Sequence, residues 1–249
     1  MFKFPPKQPI HLLGEDIEFV SAGSGAPTIV LVNGAGGPIE GWHKIFGPLS
    51  ERTNVFAYNR PGMGGSGRAE VPQVGSHMVR SLRALLQAAH CSPPFVLVGH
   101  SMGGLIVNLF ARQHPDEVSA VVFIEATAPT DISVLAQYEN RLQRFLRLTL
   151  ETLAPPNPHA EGQHARSTVA ELTLASSFPP VPLTVITGGK HAMAWATDPK
   201  AVAARATGQE DLARLSPRST HTIAPRSGHF PQFTESHLVV SAVLGAAGL

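Results

Sequence analysis

Short apolar runs alternate with amphipathic segments along most of the chain. The runs are rich in Val and Ile, which is typical of strands that are buried on both faces of a parallel sheet. They lie at Ile17–Val20, Thr28–Val32, Val55–Tyr58, Phe95–Val98, Val118–Ile124, Leu183–Ile186 and His221–Ala224. Between residues 74 and 90, apolar residues instead recur at the spacing of one helix face. This alternation predicts an α/β fold with a mostly parallel central sheet and helices on both faces.

The alternation is interrupted between Thr127 and Pro182. Two predicted strands are separated there by far more residues than an ordinary crossover needs. The intervening sequence predicts one helix over Tyr138–Leu153 and a second, short one over Val169–Leu174. Because the interruption follows a strand end, we expect residues 127–182 to form a small helical lid. The whole chain, residues 1–249, is then expected to form a single domain into which this lid is inserted.

Composition narrows the class of protein. The chain has 249 residues, of which 43% are hydrophobic and 15% charged, and its formal net charge is +1, so nothing favours a nucleic-acid partner. The single cysteine, Cys91, excludes an intrachain disulfide and a thiolate metal cage. No apolar run has the length of a membrane span, and the N-terminus lacks the apolar core of a signal peptide. We expect a cytoplasmic protein with no membrane partner, no cofactor and no metal site, and a homodimer remains open.

The sequence Gly99-His100-Ser101-Met102-Gly103 fits the pattern Gly-x-Ser-x-Gly. A predicted strand precedes it and a helical pattern follows it, which is the context in which this motif indicates a nucleophilic serine. The glycines are expected because a side chain at either position would clash with the neighbouring strand or helix. The helix N-terminus beneath the serine favours developing negative charge.

Four segments that follow predicted strands match landmarks of a known family, in that family's order. They are Leu31–Gly37, Tyr58–Ser66, Val98–Gly104 and Ser227–Gln232. With them the chain resembles the α/β-hydrolase superfamily over nearly its whole length, and in particular its esterase- and lipase-like serine hydrolases. Those enzymes use a catalytic triad and an oxyanion hole. A serine at position 101 argues against the dehalogenase and epoxide-hydrolase members, which carry a carboxylate there.

The resemblance implies a set of roles for individual residues. Ser101 would be the nucleophile and His229 the general base, and the backbone N–H groups of Ala35 and Met102 would form the oxyanion hole. Asn33 stands where the family usually has a histidine, and its side chain can hydrogen-bond the loop backbone. For contacts with the substrate we expect the residues Asn33, Gly34, Trp42 and Phe230.

The sequence leaves the acid of the triad open. Most of the family carries it just after the strand that here ends at Thr187, but no carboxylate follows that strand directly. We favour Glu125, because it closes a buried strand, where an unpaired carboxylate would be costly, and keeps the chain order Ser, acid, His. Asp198 is the alternative acid, although a place before Pro199 also fits a helix cap. Asp131 ranks third.

The most direct functional expectation is a serine hydrolase that cleaves a small ester, thioester or lactone through an acyl-enzyme intermediate. Its partner would be a small-molecule substrate. The same Ser-His pair also serves carbon–carbon bond hydrolysis and cofactor-free perhydrolysis. A third alternative is a non-enzymatic small-molecule receptor on the same fold, which an incomplete triad would favour.

Overall fold

One mixed sheet organises the part of the chain that the computed structural model describes, residues 3–134, 156–190 and 198–249. Its strand order is β1-β2-β4-β3-β5-β6-β7-β8. The strands are β1 (Gln8–Leu12), β2 (Glu15–Ala22), β3 (Thr28–Val32), β4 (Val55–Asn59), β5 (Phe95–His100), β6 (Val118–Ile124), β7 (Leu183–Gly188) and β8 (Ser219–Ala224). The strands β3 to β8 pair in parallel. At one side of the sheet, β1 pairs antiparallel with β2, and β2 pairs antiparallel with β4.

Helices cover both faces of this sheet. Their bounds are α1 (Phe46–Ser50), α2 (Gly75–Ala88), α3 (Gly103–Gln113), α4 (Pro129–Val134), α5 (Ala165–Leu174), α6 (Pro199–Ala213), α7 (Pro231–Thr234) and α8 (Ser236–Ala247). The side chains of β3 show how the layers form, because Val30 and Val32 pack into one apolar core and Ile29 and Leu31 into the other. Full burial of such a side chain contributes about 1.5–3 kcal/mol.

The register of the central strands brings three strand ends together. His100 at the end of β5 lies opposite Ile124 at the end of β6, and Ile124 lies opposite Ile186 in β7. The residues that follow these positions therefore emerge side by side at the carboxyl edge of the sheet. Ser101 and Glu125 are the first residues beyond β5 and β6, so the topology alone makes them neighbours.

The α/β-hydrolase fold predicted from the sequence is confirmed, and most strand bounds agree within two residues. The strand β1 was not predicted, because Gln8–Leu12 lies half exposed at the sheet edge and contains a proline. In the predicted lid, α5 begins at Ala165, four residues before the expected helix. The helix predicted at Tyr138–Leu153 lies outside the described residues.

Candidate active site

Ser101 occupies a strained turn between β5 and α3. Its φ is 50°, in the left-handed region that a residue with a side chain seldom adopts. The Ser101 carbonyl accepts hydrogen bonds from the N–H groups of Gly104 and Thr127, both at 2.9 Å. A side chain at position 103 would overlap the carbonyl oxygen of Val32. The close approach of α3 to β3 therefore requires the second glycine of the motif.

His229 lies between Ser101 and Glu125. Its Nε2 is 3.1 Å from Ser101 Oγ, and its Nδ1 is 3.3 Å from Glu125 Oε2. This is the arrangement of a nucleophile, a base and a group that orients the base. The structure thus brings together the three residues that the sequence analysis favoured for the triad.

His100 fixes the backbone on which His229 stands. Its Nε2–H donates to the carbonyl oxygen of His229 at 2.8 Å. Burial lowers the pKa of His100 to about 4, so its ring is neutral near pH 7. His100 is therefore a neutral hydrogen-bond donor that holds His229 in place.

Glu125 is held by donors on three sides. Its φ is 46°, its Oε1 accepts from the Gly188 N–H at 2.7 Å, and its Oε2 accepts from Arg205 Nη2 at 2.8 Å and faces His229. Burial opposes the carboxylate's charge. The hydrogen bond to His229, the charge and hydrogen bond of Arg205 and the Gly188 N–H outweigh burial and lower the pKa of Glu125 to about 2. Glu125 therefore stays ionised at any pH at which the protein would work.

The other two acid candidates have different partners. Asp198 Oδ1 accepts from the Lys200 N–H at 2.8 Å and caps α6, which is the helix-cap role that its sequence position allowed. Asp131 accepts from the Ala128 N–H at 2.8 Å and faces Arg205 at 3.4 Å. Among the described contacts, Glu125 alone of the three carboxylates reaches His229.

The loop after β3 faces the serine. The N–H groups of Ala35 and Met102 make no hydrogen bond to any other residue in the described ranges, so both remain available as donors. Asn33 Nδ2 donates to the Pro38 carbonyl at 2.7 Å, so this amide shapes the loop. At Gly34 a Cβ would lie 2.8 Å from Ser101 Cβ. Only glycine lets the loop come this close to Ser101.

A buried ion pair fastens this loop to the base of the predicted lid. Arg60 Nη2 donates to the Gly34 carbonyl at 2.7 Å and to Glu161 Oε1 at 3.0 Å, and Arg60 Nε bonds Glu161 Oε2. Glu161 Oε1 also accepts from the Gly36 N–H at 3.3 Å. Although burial disfavours the charged guanidinium, Glu161 keeps the pKa of Arg60 above its ordinary value. The ion pair therefore hydrogen-bonds the loop on both sides of Ala35, at Gly34 and Gly36.

Replacement of Arg60 should misplace the loop after β3. In Arg60→Met the Gly34 carbonyl loses its donor and Glu161 becomes an unpaired buried charge, so we expect kcat on a model ester to fall roughly tenfold to a hundredfold. Stopped-flow or steady-state kinetics on folded protein would measure this loss. Arg83→Met is the matched control, because Arg83 is a half-exposed arginine paired with Glu117 away from the site. Equal kcat in both variants would contradict the role of Arg60.

A cleft of about 350 Å³ opens beside Ser101. Three of the residues predicted to contact the substrate, Asn33, Gly34 and Phe230, line it, together with Ala35, Gly37, Pro38, Glu40, Gly41, His100, Ser101, His229, Gln232 and Phe233. Phe230 is half exposed, so its ring is available to a ligand. Trp42 is not in the wall, and the prediction of a substrate contact for it is wrong. Its side chain is fully buried, with its ring 6.4 Å from that of His100.

The low pKa of Glu125 also predicts acid sensitivity of the fold. The ordinary value is 4.5 and the folded value about 2. The stabilisation from this carboxylate is therefore complete above about pH 4.5 and is lost as the pH falls through about 2. It amounts to about 3 kcal/mol. Urea unfolding at pH 7, 4 and 3 should show a steeper loss in the wild type than in Glu125→Gln, and parallel losses would contradict this prediction.

Several residues that support the site could not be predicted from the sequence. Arg205 contacts Glu125 across 80 residues of the chain, and Glu161 contacts Arg60 and Gly36 across 101 and 125 residues. No local pattern encodes such contacts. His100 was recognised as a neighbour of the nucleophile, but not as the donor to His229. The Arg60-Pro61-Gly62 segment was recognised only as a family landmark.

The comparisons with known proteins identify the family. A family model described as alpha/beta hydrolase fold matches residues 27–185, so the chain belongs to the alpha/beta hydrolase family. The expectation of a hydrolase enzyme agrees with this membership. An enol-lactonase crystal structure from Burkholderia xenovorans LB400 superposes with a TM-score of 0.69 at 18% identity, covering 97% of this chain and 100% of that one.

Two curated relatives match shorter stretches. The uncharacterized protein YqjL of Bacillus subtilis (strain 168) is 31% identical over 103 residues, 41% of this chain and 41% of that protein. The 1-acylglycerol-3-phosphate O-acyltransferase ABHD5 of Pongo abelii is 25% identical over 162 residues, 62% of this chain and 46% of that protein. The matched stretches span less than half the length of these two relatives.

Within residues 3–134, 156–190 and 198–249, every helix falls short of the length and apolar character that a membrane span needs. The same residues hold no group of three or more His, Cys, Asp or Glu side chains that could bind a metal ion.

Proposed function

We propose that this protein is a serine hydrolase that cleaves a small ester, thioester or lactone through an acyl-enzyme intermediate. The observation that carries the proposal is the continuous chain of contacts from Ser101 Oγ to His229 Nε2 and from His229 Nδ1 to Glu125 Oε2, at 3.1 and 3.3 Å. We assign the oxyanion hole to the N–H groups of Ala35, which lines the same cleft, and of Met102, which directly follows Ser101. Together these groups supply each part that acyl transfer requires.

The reaction follows from these positions. As Ser101 Oγ attacks the substrate carbonyl carbon, its proton passes to His229 Nε2, and Glu125 stabilises the imidazolium that forms. The carbonyl oxygen becomes negative and is stabilised by the N–H groups of Ala35 and Met102. His229 then protonates the leaving alcohol, thiol or ring oxygen, which leaves Ser101 acylated. Water, deprotonated by His229, releases the acid in a second passage through the same site.

The dimensions of the cleft favour a small substrate. A volume of about 350 Å³ lies at the lower end of the range of small-molecule sites. Its wall combines the rings of Phe230 and Phe233 with loop backbone from Gly34 to Gly41. We therefore propose compact, mainly apolar acyl groups such as acetyl to butyryl, and small lactones.

A fluorophosphonate probe tests the proposal without knowledge of the substrate. An activated serine reacts quickly with such a probe, and an ordinary one does not. We expect rapid, stoichiometric labelling, with the adduct on Ser101 when the peptides are analysed by mass spectrometry. Labelling that is absent, or equally fast in Ser101→Ala, would overturn the proposal. A panel of nitrophenyl esters and lactones would then rank the acyl groups.

The activity should depend on the protonation of the base. Only a neutral imidazole accepts the serine proton. We expect kcat/KM for an ester to rise with pH and then to level. Because burial lowers the pKa of His100 to about 4, its ring is already neutral near pH 7. It should therefore add no second pH-dependent change to the profile. A flat profile would argue against His229 as the base.

An acyltransferase is the second candidate. The relative from Pongo abelii is named a 1-acylglycerol-3-phosphate O-acyltransferase, and an acyl-enzyme can pass its acyl group to an alcohol instead of water. Product analysis with an added alcohol separates the two candidates, because a transferase would form the new ester in preference to the free acid.

A further inference from the structure

Arg205 contacts the acid of the proposed triad more closely than the histidine does. Its Nη2 lies 2.8 Å from Glu125 Oε2 and 3.0 Å from the Glu125 carbonyl oxygen, whereas His229 Nδ1 is 3.3 Å from the same Oε2. One carboxylate oxygen thus accepts from two donors. The negative charge that stabilises His229 is shared with a permanent cation.

The same guanidinium also reaches a second carboxylate. Its Nη1 lies 3.4 Å from Oδ2 of Asp131, a residue whose side chain is buried at the start of α4. Arg205 stands in the middle of α6, so it links this helix to the residue that follows β6 and to the start of α4. A planar, forked donor suits this position, because it can bond two acceptors on Glu125 and a third on Asp131 at once.

The contact with the Glu125 backbone has a further consequence. Glu125 has a φ of 46°, a conformation that costs free energy for a residue with a side chain. Arg205 bonds both the carbonyl oxygen and the side chain of this residue, and the Gly188 N–H holds the other carboxylate oxygen. These bonds fix the direction in which the carboxylate faces His229.

We propose that Arg205 is a positioning residue that orients Glu125 and sets the pH range over which His229 acts as a base. This inference rests on the proposed function. The cation opposes protonation of His229, while Glu125 and Asp131 favour it, and the neutral His100 adds no charge. The balance of these charges therefore sets the pH at which His229 becomes active as a base. The geometry of the contacts sets the rate of the reaction.

The rate of fluorophosphonate labelling as a function of pH tests this inference without a known substrate. In Arg205→Met we expect the plateau rate to fall about tenfold, because Glu125 loses two bonds. The midpoint should move up by about 0.5 to 1 pH unit, because a cation has left the surroundings of an imidazolium. Arg205→Lys keeps the charge and loses the fork, so its midpoint should stay near the wild-type value while its plateau rate falls.

Two further variants sharpen the result. Asp131→Asn removes an anion from the same network, so its midpoint should move in the opposite direction, to lower pH. Arg214→Met is the matched control, because this exposed arginine follows the same helix and pairs only with Glu210 and Asp211 among the described residues. Its profile should equal that of the wild type. Circular dichroism checks folding, and Arg205→Gln replaces Arg205→Met if the latter does not fold.

The possible outcomes separate the two proposals. Wild-type protein that is not labelled at any pH overturns the proposed function, and the inference with it. Normal wild-type labelling with an unshifted midpoint in folded Arg205→Met or Arg205→Gln overturns the inference alone, because a purely structural arginine would lower the melting temperature without moving the midpoint. A shift in the expected direction, absent from Arg205→Lys and Arg214→Met, supports it.

Discussion

Ser101→Ala should lower kcat for a short-chain ester by roughly 10³-fold or more, the loss that removal of a triad nucleophile causes in comparable enzymes. The change removes the attacking oxygen and leaves the turn intact, because Ala fits wherever Ser does. The strained φ of 50° is the same for both residues. Steady-state kinetics on purified protein measures the effect.

Ser24→Ala is the control for this experiment. Ser24 is exposed in the turn after β2, far along the chain from the nucleophile. We expect wild-type kinetics and an unchanged melting temperature from this variant. A kcat for Ser101→Ala that approaches the kcat of Ser24→Ala would contradict the assignment of Ser101 as the nucleophile.

Glu125→Gln should cost on the order of 10²- to 10⁴-fold in kcat, by analogy with replacement of other triad acids. The variant keeps the size of the side chain but removes the charge that stabilises the imidazolium. It also leaves the Arg205 guanidinium without the anionic partner that directly follows β6. Kinetics at pH 7 on the same ester gives the comparison.

Asp198→Asn is the matched change at the alternative acid. Asn caps helices about as well as Asp, so α6 should stay intact and kcat should remain within about twofold of the wild type. If Asp198→Asn is severe and Glu125→Gln mild, our assignment of the acid is wrong. Mild effects in both variants would indicate a Ser-His dyad without a carboxylate.

Much of the fold could be predicted because the buried strands of the sheet are recognisable as short apolar runs in the sequence. β3 and β6 are apolar throughout, so the observed bounds of Thr28–Val32 and Val118–Ile124 equal the predicted ones. β1 escaped prediction because an exposed edge strand needs no apolar run. α8 escaped because it carries small and apolar residues on all sides, without the polar face that reveals a surface helix.

The site was predictable to the extent that its residues follow strand ends. Ser101 lies in a recognisable motif, and Glu125 is a carboxylate that closes a buried strand, where it needs a partner. The sequence could not show that this partner is both His229 and Arg205, because these contacts span 104 and 80 residues. Trp42 was misplaced because an aromatic residue near a strand end looks the same from sequence whether it faces a cleft or the core. The role of Glu125 as the triad acid stays a prediction until its variants are measured.

The buried pair of Arg60 and Glu161 limits how this enzyme could be re-engineered. Exchanging the segment between β6 and β7, the predicted lid, between relatives would be a direct way to alter the accepted substrates. A graft that omits an acid at position 161 would leave the Arg60 charge buried without a counter-ion, at a cost of about 3–5 kcal/mol. It would also leave the Gly36 N–H without its acceptor on Glu161 and weaken the attachment of the loop that carries Ala35. A chimera should therefore join its foreign segment after position 134 and before position 156, so that residues 156–164 remain native.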